Sequence, residues 1–347
     1  MTLASAVSTG GNPSRLRTGG ALAVSCVLLA ACSGPGTTSG TPVGTSASRT
    51  AASSSPSAAS SAAASVRLSG RIVFERWDAT QGKTSVFIAN ADGNGERQLF
   101  ARGAEMPHWS PDGKTVSVFC CDDGMVAHLI DVASGAFHEF PPPDPEIEAH
   151  CGPWSPDGGQ LLCESFGTKD RARNGVYAIR STDGKGLTQL TSSPNGDDLP
   201  GSESPDGKRL VFNRAETTGS KFALFVAGLG GKAVRQITPW GSVDIGFYGR
   251  FSPDGSLILF PSADDGGLWV VGPDGRNLHE VYGDTQGRRA ITPTWSPDGK
   301  WIMFGLAPSG DISSHPATGL YVVDGQGKNL AEILPAHSYQ SDPDWAQ

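Results

Sequence analysis

Acidic, imidazole and guanidinium side chains recur at intervals along this sequence, each group a few residues ahead of a shared turn motif or its aromatic lead. They are Glu105 and His108; Glu146, Glu148 and His150; Asp197 and Asp198; Asp244, Tyr248 and Arg250; Arg288 and Arg289; and Gln340, Asp342 and Asp344. Brought together, such carboxylates with one or two imidazoles would suit a divalent cation, Ca²⁺, Mn²⁺ or Zn²⁺. The arginines could instead hold an anionic ligand or a partner's C-terminal carboxylate. A solvated polar funnel with neither is the plainest reading, so no bound cofactor is expected, with a divalent cation as the alternative.

Cysteines are the second set that could do chemistry. Cys26 and Cys32 fall in the N-terminal segment, leaving Cys120, Cys121, Cys151 and Cys163 as an even set. Cys151 and Cys163 each lie six residues from Asp157, the centre of a turn, which places them opposite each other on a hairpin within disulfide reach. Cys120 and Cys121 end the corresponding strand one repeat earlier. One or two bridges are expected, either Cys151–Cys163 or cross-repeat pairs such as Cys121–Cys151. A metal cluster with His150 is the rival.

The elements that must position these groups are marked by Ser-Pro-Asp-Gly, which starts at Ser110, Ser155, Ser204, Ser252 and Ser296. A period of some 45 residues, repeated that often, marks a repeat architecture. Proline presets φ, Asp bonds its own backbone, and Gly takes the positive φ that closes the reversal. An aromatic precedes four of the turns (Trp109, Trp154, Phe251, Trp295), and an apolar strand follows, as in Leu257-Ile258-Leu259-Phe260 and Trp301-Ile302-Met303-Phe304. This is a strand–turn–strand signal. A second apolar strand and a short third one follow each time, giving four strands per repeat, the blade of a β-propeller. Before Ser204 the aromatic is replaced by Glu203, read as a solvent-facing local adjustment in preference to a functional insertion.

The ends of the repeat region complete each other. Arg71-Ile72-Val73-Phe74 resembles the strand after the turn but has no turn before it, while Ser341-Asp342-Pro343-Asp344-Trp345 resembles the strand before the turn. The fold expected is all-β: a six-bladed propeller over 66–347, closed by the C-terminal strand joining the N-terminal blade and preceded by a disordered stalk. Closure removes the sheet edges that an open array exposes.

The first 65 residues read as an address and a tether. Arg15 and Arg17 precede an apolar stretch from Ala21 to Ala31, too short to span a bilayer. It ends Leu29-Ala30-Ala31-Cys32, which resembles a bacterial lipobox, so 1–31 is expected to be a lipoprotein signal and Cys32 the lipidation site. Residues 32–65, mostly Gly, Ser, Thr, Ala and Pro, cannot bury enough surface to order themselves and are expected to form a flexible linker. A net charge of −8 argues against a nucleic-acid partner.

The aromatic-Ser-Pro-Asp-Gly pattern with its following strands resembles the TolB-like, WD-like β-propeller repeats from about Val66 to Gln347. The lipobox and stalk make the chain look like an actinobacterial propeller lipoprotein. That family includes partner-binding periplasmic proteins, propellers of prolyl oligopeptidase-type peptidases and a few metal-dependent lyases. The family's partners do not carry over to a chain with a lipobox and stalk; the function expected is that of an extracytoplasmic, lipid-anchored monomer, a binding or scaffold protein presenting a propeller face to a protein, peptide or envelope glycan. The alternative is a metal-dependent lyase or hydrolase in the funnel. A cis-acting peptidase would need a Gly-x-Ser-x-Gly elbow, and the sequence contains none.

Overall fold

The computed structural model describes residues 67–120, 126–140, 144–194, 196–216, 221–243, 248–310 and 312–347; the proposed leader, Cys32 and the stalk lie outside them. Each Ser-Pro-Asp-Gly forms the turn its chemistry demands. In the first copy Ser110 Oγ donates to Asp112 Oδ1 at 2.7 Å, the Gly113 amide donates to the Ser110 carbonyl at 2.9 Å, and Gly113 has φ of 66°. The same serine-to-aspartate bond, 2.6–2.7 Å, recurs at Ser155, Ser204, Ser252 and Ser296.

These turns join the first two strands of five antiparallel sheets, and a sixth takes its first two strands from opposite ends of the repeat region; each sheet has four strands. Blades are numbered from the N-terminal one. Their innermost strands are Gln340–Ala346 in blade 1, Ala104–Trp109 in blade 2, Ile147–Trp154 in blade 3, Asp198–Glu203 in blade 4, Arg250–Phe251 in blade 5 and Arg289–Trp295 in blade 6. The C-terminal strand pairs with Arg71–Asp78, Ile72 opposite Trp345, so the ring closes as the sequence implies. The outermost strands are short, in blade 3 only Thr188–Gln189 and in blade 5 His279–Tyr282.

What holds the ring is an apolar cluster at each junction of blades. The second strands of blades 1, 4, 5 and 6 carry Phe74, Phe212, Phe260 and Phe304 at the same place, each at most 1% exposed. Each packs onto the preceding blade: Phe212 on Leu162 and Val176, Phe260 on Leu199 and Val211, Phe304 on Leu259 and Leu268, and Phe74 on Met303 and Leu320 across the closure. Burying such a side chain contributes about 2–3 kcal/mol. Blades 2 and 3 have smaller residues there, Val118 and Cys163. In blade 3 the place is taken by a disulfide, Cys151–Cys163, directly across the hairpin register. This selects the same-hairpin pairing and excludes Cys121–Cys151. Cys121 lies outside the described residues, and of Cys120 only the backbone, paired with Ala104, is described.

The innermost strands carry bulges at the same point, between Glu105 and His108, Cys151 and Trp154, Pro200 and Ser202, and Ile291 and Thr294. In blades 2, 6 and 1 the bulge holds Met106, Thr292 and Asp342 at φ of 49°, 46° and 49°, each just before a proline. A bulge of this kind re-aims side chains. At blades 4 and 5 the innermost backbones come so close that a Cβ on Gly201 would collide with the Gly249 carbonyl.

Candidate functional site: the channel and its mouth

The residue before each blade's aromatic position, on the innermost strand, is His108, Pro153, Ser202, Arg250, Thr294 or Asp344. Hydrogen bonds between non-adjacent blades put several of them on the central channel. Arg250 of blade 5 donates to Asp344 Oδ1 of blade 1 at 3.2 Å and to His108 Nδ1 of blade 2 at 3.4 Å. Asp344 also accepts from the Trp109 amide at 2.8 Å and from Thr294 Oγ1 at 3.4 Å. One level further from the turns, the Tyr248 hydroxyl reaches from blade 5 to Met106 Sδ at 3.7 Å. Two side chains of blade 5 therefore bar the channel.

Charge in this ring is settled by burial and by Arg250. Burial, then the nearby guanidinium, holds His108 well below its usual range, so the imidazole is neutral with Nδ1 accepting. Burial raises Asp344, while Arg250 and the Trp109 amide pull the other way.

Beyond the bars lies the mouth, the end of the channel opposite the Ser-Pro-Asp-Gly turns. Between blades 6, 1 and 2 it is acidic. Glu75, 6% exposed, accepts from Ser341 Oγ and, at 3.2 Å, from the Met106 amide. Burial, then Asp342 and Glu105, raises its carboxyl well above the usual range. Asp342 is pushed up to about 6, chiefly by burial, and its amide donates to Thr292 Oγ1 at 2.9 Å. Aromatic faces stand beside these acids. Trp77 and His315 stack with centroids 4.0 Å apart and planes 3° apart, and Tyr339 meets His315 edge-on at 5.2 Å. Burial lowers His315, and the charge of Glu105 works against it.

Between blades 3 and 4 the mouth is polar but more internally paired. Glu148 and His150 are 3.1 Å apart. Burial lowers His150 despite that partner, and the ring sits 4.6 Å from Phe119. Asp198 is clamped by Arg214 at 2.6 and 2.7 Å and by Thr191 at 2.6 Å. Burial raises Asp197, and Asn174 donates to it at 3.3 Å. Glu164, opposite His150, is pushed up to about 8 by burial, with Asp197 and Glu148 adding to it.

The sequence candidates are thus divided. His108, Arg250, Tyr248, Asp342, Asp344 and Glu105 come together; Glu148, His150, Asp197 and Asp198 form the other side. Asp244 lies outside the described residues. Gln340 turns to Arg76 at 2.7 Å and to the Thr318 and Pro335 carbonyls. Arg288 is bound to Asp284 at 2.8 Å and Glu146 to Lys169 at 2.8 Å. Arg289 begins the blade 6 innermost strand, its stem against Gly266. Glu203 is not solvent-facing as expected: it is 7% exposed, with Oε1 unpartnered, and burial, then Asp157, pushes it up to about 7. Sequence reasoning missed Glu75 and Glu164. Both follow the core position of the second strand, and a carboxylate inside that apolar run was the available signal.

A separate aromatic cavity lies between blades 4 and 5, lined by Phe222, Pro239, Trp240, Trp269 and Leu278. None of the sequence candidates among the described residues lines it.

Residues 65–347 match the TolB beta propeller domain. The chain belongs to the TolB beta propeller family. Among solved structures it is similar to TolB from Acinetobacter baumannii, with 16% identity and a TM-score of 0.60 over 80% of this chain and 66% of that one. It is also similar to a chain of the nidogen/laminin complex, with 10% identity and a TM-score of 0.59 over 80% of this chain and 99% of that one. At such identities the likeness is one of fold. An uncharacterized protein of Agrobacterium fabrum is 30% identical over 159 residues, 42% of this chain and 50% of that one. The chain thus spans about half the length of that curated relative and just under two thirds of the A. baumannii TolB.

Proposed function

We propose that this chain is an extracytoplasmic binding or scaffold protein, anchored to the membrane through Cys32, whose propeller presents the channel mouth to a protein, peptide or envelope glycan. The observation that carries the reading is the barred channel. Arg250 and Tyr248 cross from blade 5 to blades 1 and 2, and their polar partners satisfy one another. This makes the mouth a fixed, preformed surface, and a preformed surface binds with little ordering cost. The Cys151–Cys163 bridge supports an oxidising, extracytoplasmic compartment. The lipobox-like Leu29-Ala30-Ala31-Cys32 supports the anchor.

Crosslinking of the full chain in its own envelope, followed by affinity capture, tests the reading. Capture of a partner should be lost on replacing Tyr248 or His150 by alanine and kept on replacing Asp112 in the turns. Loss through Asp112→Asn with no loss at the mouth would overturn the assignment of the face. Cys32→Ala should move the protein to the soluble fraction; a variant that stays on the membrane refutes the anchor.

A further inference from the structure

We propose that the aromatic cavity between blades 4 and 5 is a saccharide site, taking a sugar ring against its two tryptophans, Trp240 and Trp269. It is a second ligand site, apart from the channel mouth, and does not rest on the reading above.

The cavity is built into the join between the two blades. The chain leaving blade 4 runs along it, and Val243 forms a β-bridge to Phe222 of blade 4 on one side and to Ser262 of blade 5 on the other. The Gly241 amide donates to the Phe222 carbonyl at 2.9 Å, and the Ala263 amide to the Ser242 carbonyl at 3.2 Å. The space so framed is about 680 Å³, and pockets that take small ligands run from about 300 to 1,000 Å³.

Its aromatic walls are held in place before any ligand arrives. Trp269 Nε1 donates to both oxygens of Asp265, at 3.3 and 3.2 Å. Trp240 meets Phe225 with ring centroids 5.6 Å apart and is still 40% exposed. Among the described residues four large apolar side chains are exposed, and two of them, Trp240 and Leu278, line this one cavity. Apolar surface gathered in a concave place points to a ligand, where single scattered residues would not.

Two charged side chains select the ligand's chemistry. Lys221 lines the cavity from blade 4 and Asp264 from blade 5. The lysine stem lies along Gly241, its Cδ 3.6 Å from where a Cβ on that glycine would sit. Among the described residues neither the ammonium nor the carboxylate has a hydrogen-bond or ion-pair partner, and the two do not pair with each other. A wholly apolar ligand would take both charges out of water and satisfy neither. A proline-rich segment offers carbonyls to the lysine but few N–H groups to the aspartate. Sugar hydroxyls donate and accept, so one saccharide can serve both charges through charge-assisted hydrogen bonds. The ring's polarised C–H groups are attracted to the negative face of an indole. An aromatic wall with one fixed donor and one fixed acceptor beside it is complementary to that combination.

Titration of the full chain with cellobiose and with N,N′-diacetylchitobiose, followed by tryptophan fluorescence and saturation-transfer NMR, tests this, with hexaproline as the peptide rival. At least one disaccharide is expected to bind saturably, to quench the fluorescence and to show its strongest transfer at ring C–H protons. Trp240→Ala should weaken binding by about ten-fold and Asp264→Ala by about five-fold. Both side chains are exposed, melting curves verify that the variants fold, and Lys221→Ala serves if one does not. Leu330→Ala, exposed in blade 6 and outside the cavity, should leave binding unchanged. No saturable binding of either sugar, hexaproline bound in their place, or binding that the folded cavity variants leave unchanged or that Leu330→Ala weakens as much, overturns the proposal.

Discussion

The two ends of the same inner strands treat carboxyl groups in opposite ways. At the turns each aspartate is exposed and bonded at once by a serine hydroxyl and a backbone amide, and those bonds lower its pKa; Asp298 falls to about 2, through Ser296 and Lys300. At the mouth the carboxyls are buried against one another, and burial drives Asp342 to about 6 and Glu164 to about 8. Local hydrogen bonding wins at one end and desolvation at the other. The turn end uses its charge to fix backbone, whereas the mouth keeps its carboxyls in a desolvated setting that favours the neutral form.

The strongest way to break this contrast is to remove the group that joins the blades at the channel. Asp344→Ala would leave Arg250, mostly buried, without its carboxylate and free the Trp109 amide. A loss of about 3 kcal/mol is expected in urea unfolding, since the remaining charge stays largely desolvated. Next is the Cys151–Cys163 bridge, which spans 12 residues. Replacing both by serine should cost about 2–3 kcal/mol, and reductant should lower the melting temperature of the native chain but not of the variant.

The effect of pH is smaller and has a defined sign. Carboxyls raised in the folded state stabilise fully below their unfolded value, near 4, and that contribution is lost as pH rises through the folded values. For Asp342 at about 6, Glu203 at about 7 and Glu164 at about 8, the melting temperature should fall as pH goes from about 4 to 8. The turn aspartates act the other way: their contribution is present above about 4 and lost as pH falls towards 2. Glu203→Gln should flatten the alkaline slope and raise the melting temperature near pH 8 by a few degrees. An unchanged slope would show that Glu203 does not titrate there. The smallest effect is expected at one turn, where Asp112→Ala should cost no more than about 1 kcal/mol, because its bonds are exposed.

The fold was legible because the turn chemistry repeats: Pro, Asp and Gly at fixed places leave few alternatives, and Trp345 with Asp342-Pro343-Asp344 supplied the missing strand. The site was legible only in part. The innermost-strand candidates His108, Arg250 and Asp344 do converge, since they hold the same repeat position on the innermost strands of three blades. Which candidates pair could not be read, because Arg250 meets Asp344 and His108 through a ring whose diameter the repeat does not encode. Trp77 and His315 fall outside the repeat positions, on the end of a second strand and in a loop, so no periodicity pointed to them; Glu75 shares its place after the core residue with Glu164 but lies outside the innermost strands. Glu203 misled because a lone carboxylate in an aromatic position reads as exposed, yet the neighbouring blades bury it.

The closure has a consequence in time as well as space. The innermost strand of blade 1 follows all the propeller's other strands in the chain, and Trp345 Nε1 reaches the Ser69 carbonyl across 276 positions of sequence. Blades 2 to 6 bring together residues close in the chain, whereas the first blade must wait, its second strand an unpaired edge, until residues 340–346 arrive. A chain stalled or clipped just short of its final strand would hold almost all of its contacts and still expose a sticky edge.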